Sequence, residues 1–284
     1  MLSDFAAIIL THGRPDRVVT YNTLRKAGYT GRIIILIDDE DKTADEYRKR
    51  YGSIVETFSK ADIATRFDEG DNIQDRRVIV YARNASFEVA KRLGIRYFIQ
   101  LDDDYQCWEY RFQKDFTYRA RPIKSLDKVF EQLLKFYKNS FFASIAMGQG
   151  GDYIGGSQNP NVNAIKIKRK AMNTFICDTE RPFKFVGRIN EDVNTYTCEQ
   201  RRGLLFATVL GVSIVQKQTQ SNAGGMTDIY KDNGTYLKTF FSVMYAPSCV
   251  KVSVMGDSHM RIHHKVKWKN ATPLILRQTH KRAS

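Results

Sequence analysis

Three consecutive carboxylates, Asp102-Asp103-Asp104, follow the apolar run Tyr97-Phe98-Ile99-Gln100-Leu101. In an extended chain successive side chains point to opposite faces, so Asp102 and Asp104 are expected to share one site while Asp103 turns away. Two carboxylates so placed suit a hard divalent cation, Mg2+ or Mn2+, with coordination positions left for diphosphate oxygens. A solvated acidic turn is the alternative, and the buried strand before the triplet argues against it. Polar residues gather at two other strand ends. Thr11, His12 and Arg14 follow one apolar run, and Asp38 and Asp39 follow another. With Arg83-Asn84 opening a helix, Thr11, His12 and Arg14 form a set suited to a nucleotide diphosphate. Arginine binds phosphate through two parallel hydrogen bonds, and a helix N-terminus adds amides and a positive dipole. Asp38 or Asp39 would accept from a base or ribose hydroxyl, and Asp103 is counted with this nucleotide-binding set.

Two further groups stand later in the chain. Glu191-Asp192 lie at a helix start, where carboxylates complement the dipole, and either could instead take a proton from an acceptor hydroxyl. The segment Arg261-Ile262-His263-His264-Lys265-Val266-Lys267-Trp268-Lys269 mixes cations, histidines and an aromatic. One of His263 and His264 could complete the metal site. Arg261, Lys265, Lys267 and Lys269 could contact nucleic-acid phosphates, with Trp268 available for stacking. A solvated charged face is the plainer reading. The glycine-rich residues 148–156 match neither a P-loop nor a dinucleotide fingerprint, and no GxSxG, HExxH or zinc-spaced Cys/His set occurs.

The elements that must hold these residues alternate between strand and helix in the first half. Residues 6–10, 32–37, 54–58 and 95–101 read as strands. Residues 16–27, 43–51 and 83–93 read as helices, the first capped by Asp16 and closed by Gly28. Continuous β-branched runs such as Ile33–Ile37 imply strands buried on both faces. This rhythm predicts an open α/β sheet, with ligands beyond the carboxyl ends of its strands. The second half is less regular. Helices are expected at 126–137, 191–201 and 235–245, and strands at 141–147, 164–168, 204–210, 212–217 and 250–255. A basic tail without strong pattern follows from Gly256.

Composition sets the outer bounds. The chain has 284 residues, with 45 Lys+Arg against 31 Asp+Glu and a formal net charge of +14. Its 42% hydrophobic and 12% aromatic content excludes a disordered polymer. Four scattered cysteines fit reduced thiols, and the first residues lack a signal-peptide pattern, so a cytoplasmic protein is expected. The positive excess makes a polyanionic partner the natural expectation.

Taken together, the order of Asp102-Asp103-Asp104, the glycine-rich stretch, Glu191-Asp192 and His263 or His264 resembles the GT-A glycosyltransferase fold. More narrowly the chain resembles the TET-associated DNA-base glycosyltransferases of tailed phages. The narrower resemblance rests on residues 97–105, 224–230, 233–236, 246–248 and 261–268; the first 80 residues show only the general pattern. The resemblance implies one α/β domain with a mixed, mostly parallel central sheet flanked by helices. Residues 1–250 would form the transferase domain, and 251–284 a basic extension packed on it. Asp102 and Asp104, with His263 or His264, would hold Mn2+ or Mg2+ against the diphosphate of a nucleotide sugar, UDP-linked by expectation. Thr11, Arg14, Asp38, Arg83 and Asn84 would hold the nucleotide. Asp192, or else Glu191, would deprotonate the acceptor. The acceptor implied is 5-hydroxymethylcytosine or another 5-hydroxymethylpyrimidine in double-stranded DNA, modified to shield phage DNA from host nucleases in the infected cytoplasm. A protein or polysaccharide acceptor, a carboxylate-metal nuclease and a non-catalytic DNA binder remain as alternatives.

Overall fold

The computed structural model describes residues 4–71, 76, 78–115, 117–159, 165–216, 226–256 and 260–281, with the side chains of 226–235 excepted. Ala164, Lys217 and the Gly224-Gly225 pair, all used above, lie outside the described residues. In chain order the first half comprises β1 (Phe5–Leu10), α1 (Val19–Lys26), β2 (Arg32–Asp38), α2 (Ala44–Tyr51), β3 (Val55–Phe58), α3 (Lys60–Ala64), α4 (Val80–Arg92) and β4 (Tyr97–Asp102). The hairpin β5 (Tyr105–Phe112) and β6 (Tyr118–Pro122) follows, then α5 (Leu126–Lys138), β7 (Ser144–Gln149), β8 (Ile165–Lys166) and β9 (Phe175–Asp178). The chain continues with α6 (Glu191–Arg201), β10 (Phe206–Gln216), α7 (Met226–Tyr245), β11 (Val250–Met255), β12 (Arg261–Val266) and α8 (Trp268–Ala271).

Ten strands form one sheet in the order β3-β2-β1-β4-β9-β7-β10-β5-β6, with β8 also paired to β10. Strands β1, β2, β3, β4, β7, β10 and β6 run one way, and β5, β8 and β9 run against them. The sheet is mixed and mostly parallel, as the alternating rhythm implied. Side-chain alternation divides its core in two. Phe5, Ala7 and Ile9 of β1 and Ile33, Ile35 and Ile37 of β2 pack with Leu24, Tyr47, Phe130 and Leu134 on one face. Ala6, Ile8, Ile34 and Leu36 pack with Val80, Ala85, Val89 and Tyr196 on the other. Helices on both faces explain why these strands read as unbroken apolar runs: every residue buries, each large one contributing about 1.5–3 kcal/mol.

Strand order runs outward from β1 through β2 to β3, then returns to its other side with β4. A crevice opens at such a switch point, beyond the carboxyl ends of the strands. Leu10 and Asp102 are register partners there, so the acidic triplet stands beside Thr11–Arg14.

Several local expectations change. A short 3-10 turn, Pro15–Arg17, precedes α1, and no side chain caps that helix, so Asp16 is not its cap. The two strands expected over residues 204–217 are one, β10, running through Gly211. The hairpin β5–β6, which mixes polar with apolar residues, and the short strand β9, with an apolar run of only three, add to the expected strands. Strand β12 replaces the patternless tail by pairing antiparallel with β11. Trp268, just beyond it, stacks on Tyr196 of α6 with centroids 5.4 Å apart, and Gln200 donates to the Ala271 carbonyl. Among the described residues no helix is long and apolar enough to cross a membrane, and the four cysteines are free thiols.

Candidate active site at the sheet switch point

The acidic triplet is mounted by its backbone. Thr20, in the first turn of α1, donates its hydroxyl to the Asp102 carbonyl at 2.6 Å and its amide to the Asp103 carbonyl at 3.0 Å. The same hydroxyl accepts the Tyr105 N–H at 3.0 Å. With the turn held there, Asp102 and Asp104 both face Gln216 at the end of β10, whose Nε2 lies 3.4 Å from Asp102 Oδ2 and 2.9 Å from Asp104 Oδ1. Asn173, with φ of 62°, donates to Gln216 Oε1 at 2.8 Å and fixes the amide. Asp103 turns to the other side. Its Oδ2 accepts from the Thr11 hydroxyl at 2.6 Å and pairs with Arg14 Nε at 2.9 Å.

Arg83 closes the group from the opposite helix. It is 1% exposed, sandwiched near the rings of Phe175 and Phe185, and it bridges two carboxylates. Nη2 reaches Asp102 at 3.2 Å and Nε reaches Glu191 at 3.0 Å, while Nη1 is buried without a partner among the described residues. Gln100 of β4 donates to the Arg83 carbonyl at 2.9 Å and to Ser86 Oγ at 2.7 Å, pinning α4 against the strand. The expectation that Arg83-Asn84 open a helix is corrected. The helix begins at Val80, and the Arg83 N–H is spent on the Ile79 carbonyl. Asn84 instead pairs with both backbone groups of Phe185, at 3.0 and 2.9 Å. Its amide secures a loop and is not offered to a nucleotide.

Burial pushes the Asp102 carboxyl up to about 7; Arg83 opposes this, and the charges of Asp104, Glu191 and Asp103 add to it. Asp104 is raised by burial and by Asp103, and Glu191 by burial and by Asp192. The crevice thus holds more negative charge than Arg83 neutralises, a deficit that a bound cation would relieve. A single amide nitrogen already reaches both Asp102 and Asp104, so one small ion between them fits. Among the described residues no group of three or more His, Cys, Asp or Glu stands close enough to hold a metal ion. Two carboxylates, with the remaining positions filled by phosphate and water, is how Mg2+ is commonly bound. His263 and His264 are therefore not brought into a ligand cage. His264 Nδ1 lies 3.3 Å from the amide of Asn190, which also donates to Ser242 at 2.5 Å. Asn190, with φ of 60°, immediately precedes α6.

Glu191 and Asp192 occupy the first turn of α6 as expected. Glu191 faces Arg83, whereas Asp192 Oδ1 accepts the Val193 N–H at 2.8 Å. That leaves Asp192 Oδ2 without a hydrogen bond among the described residues.

A second polar cluster lines the ends of β1 and β2. His12 Nδ1 lies 2.7 Å from Asp38 and 3.6 Å from Asp41. Lys60, 3% exposed, pairs with Asp38 at 2.9 Å. Asp39 accepts the Lys60 N–H at 2.9 Å, which makes it the anchor of α3. The Tyr47 hydroxyl accepts the Arg14 N–H at 3.0 Å and lies 2.9 Å from the Thr11 hydroxyl. Burial alone would raise Asp38, but hydrogen bonds from His12 and Lys60 outweigh it and hold the carboxyl below its ordinary value. Lys60→Met leaves this buried carboxylate with His12 and the Glu40 N–H but without its fixed counter-charge, and a loss of about 3 kcal/mol is expected in urea denaturation at pH 7. A carboxyl held low stabilises above its unfolded value and loses that contribution as pH falls through the folded one. The gap between wild type and variant should therefore close below about pH 4.

Sequence reasoning missed Gln216, Lys60, Tyr47, Asn173 and Asn190. All are uncharged or singly placed, and only three-dimensional neighbours give them meaning. Of the expected nucleic-acid contacts, Arg261, Lys265, Lys267 and Lys269 are exposed, whereas Trp268, expected to stack on a base, stacks on Tyr196.

Among curated proteins no match is found. Over residues 5–225, a span from β1 through β10, the chain matches the family model described as TET-Associated Glycosyltransferase; it belongs to that family and is a glycosyltransferase.

Proposed function

We propose that this glycosyltransferase moves a sugar from a nucleotide sugar, UDP-linked, to the hydroxyl of 5-hydroxymethylcytosine or a related 5-hydroxymethylpyrimidine in double-stranded DNA. The observation that carries the reading is the convergence of Asp102 and Asp104 on one point at the sheet's switch point, flanked by Arg83, Arg14 and Thr11. Asp102 and Asp104 would hold Mn2+ or Mg2+, which when bound neutralises charge growing on the leaving diphosphate. Arg14 and Thr11 stand where a diphosphate or ribose would lie, and the His12–Asp38–Lys60 cluster presents donors and acceptors to a base. Asp192 has a carboxylate oxygen to spare for the acceptor proton, while Glu191 serves as the Arg83 partner. The +14 charge supports DNA over a protein or polysaccharide acceptor, and a phage role in shielding DNA within the host cytoplasm accords with such a product.

The test is to incubate DNA containing hydroxymethylcytosine or hydroxymethyluracil with a panel of nucleotide sugars and Mn2+, then digest it to nucleosides for mass spectrometry. A nucleoside heavier by one sugar residue is the expected result. Glycosylation of protein or polysaccharide controls, with none of DNA, would overturn the acceptor.

A further inference from the structure

Strands β11 and β12 form a two-stranded sheet apart from the main one. It is anchored at its base by Val250, 1% exposed, and by packing of both strands on α7. Toward the tip the apolar side chains lose their cover: Val252 is 44% exposed, Val254 59%, Met255 41% and Met260 77%. A two-stranded ribbon depends on such helix packing for its stability, and the apolar side chains beyond that support call for a partner. Register places Lys251 directly opposite Lys265, and Met255 opposite Arg261. Lys251, Ser253, Met255, Arg261, His263 and Lys265 therefore share one face. Like charges directly opposed on a sheet repel, and neither strand holds an acidic residue to relieve them.

We propose that the β11–β12 ribbon docks into a groove of duplex DNA, with Lys251, Lys265 and Arg261 on phosphates and the exposed side chains of Met255 and Met260 wedged into the base stack. This rests on the DNA acceptor argued above and adds how the duplex is held. Charge complementarity and shape both support it. A major groove roughly 12 Å wide admits a two-stranded ribbon. Apolar side chains inserted between base steps unstack them, and an enzyme acting on a base must take that base out of the stack. The ribbon is also tied to the crevice, since His264 of β12 touches Asn190, the residue before Glu191. A base displaced by the tip is delivered beside α6.

The experiment uses the full chain and a short unmodified duplex, with affinity measured by fluorescence anisotropy across a salt series. For Lys251→Ala with Lys265→Ala, the slope of log affinity against log salt should become shallower by about 2, at roughly 0.9 per phosphate contact. The thermal midpoint should not fall, since the change also removes the repulsion between the two lysines. An unchanged slope overturns the ribbon assignment while leaving a DNA acceptor standing; a wild type that binds no duplex overturns both. Binding to phosphatidylserine vesicles that the variant loses, with duplex binding kept, would assign the ribbon to a membrane surface instead. For Met255→Ala with Met260→Ala, sugar transfer to a paired acceptor base should fall at least about tenfold. It should recover on a duplex whose acceptor base faces an abasic gap, where no partner need be displaced. Equal losses on both substrates overturn the wedge.

Discussion

Asp102→Asn combined with Asp104→Asn should lower sugar transfer at least about 10³-fold while leaving duplex affinity within a factor of about two. The charge stabilisation supplied by a bound divalent cation is worth several kcal/mol, and each 1.36 kcal/mol is tenfold in rate. Asn keeps the shape and the bond to Gln216 Nε2 while removing the charge that attracts the cation. Unfolding will not explain the loss. Two buried, mutually repelling carboxylates are replaced by neutral groups, so the metal-free variant should melt no lower than wild type at pH 8. Retained transfer would sink the assignment of these residues to the metal, and a parallel fall in DNA affinity would point to a damaged fold.

Arg83→Met should be the most destabilising single change in the crevice. It strips the guanidinium that touches both Asp102 and Glu191 and leaves both acids in a largely buried place. Breaking a buried pair from one side costs about 3–5 kcal/mol, and a shift of that size is expected in the urea midpoint. Arg83→Lys should recover only part of it. An ammonium is a compact charge that cannot reproduce a fork spanning two acceptors, and the rings of Phe175 and Phe185 flank a planar group. Adding Asp102→Asn and Glu191→Gln to Arg83→Met should restore most of the stability, because the neutral amides no longer need a counter-charge. A triple variant as unstable as the single one would show that Arg83 matters for packing alone.

The parts of the fold legible in the sequence were those set by strong local patterns. Unbroken β-branched runs gave β2 and the burial of both sheet faces, and the helix over 191–201 matches α6 residue for residue. The two-residue period of a strand was enough to separate Asp102 and Asp104 from Asp103, and the separate partners of Asp103 reflect it. Arg83 was misjudged because its local pattern starts three residues too late: Val80, Tyr81 and Ala82 already belong to α4. The environment of Arg83 is two aromatic rings and two carboxylates brought in from elsewhere in the chain. Strand β12 was invisible because a half-exposed ribbon mixes cations with apolar residues at no single period, and its identity depends on a partner strand. The family match also takes in the first 80 residues, where the sequence shows only the general pattern. The family match begins at residue 5 and stops at 225, before the ribbon begins.

The Thr20 hydroxyl and amide hold the acidic turn through the carbonyls of Asp102 and Asp103, not through their carboxylates. The backbone of the turn is therefore held whatever Asp102 and Asp104 carry. Swapping a carboxylate for an amide, or shortening or lengthening one, changes the chemistry at the tip without unmaking the mount. Under the metal role proposed above, such a site could change its ion in single mutational steps that each leave a folded protein. That makes the switch point a place where new donor preferences can be tried at little structural risk.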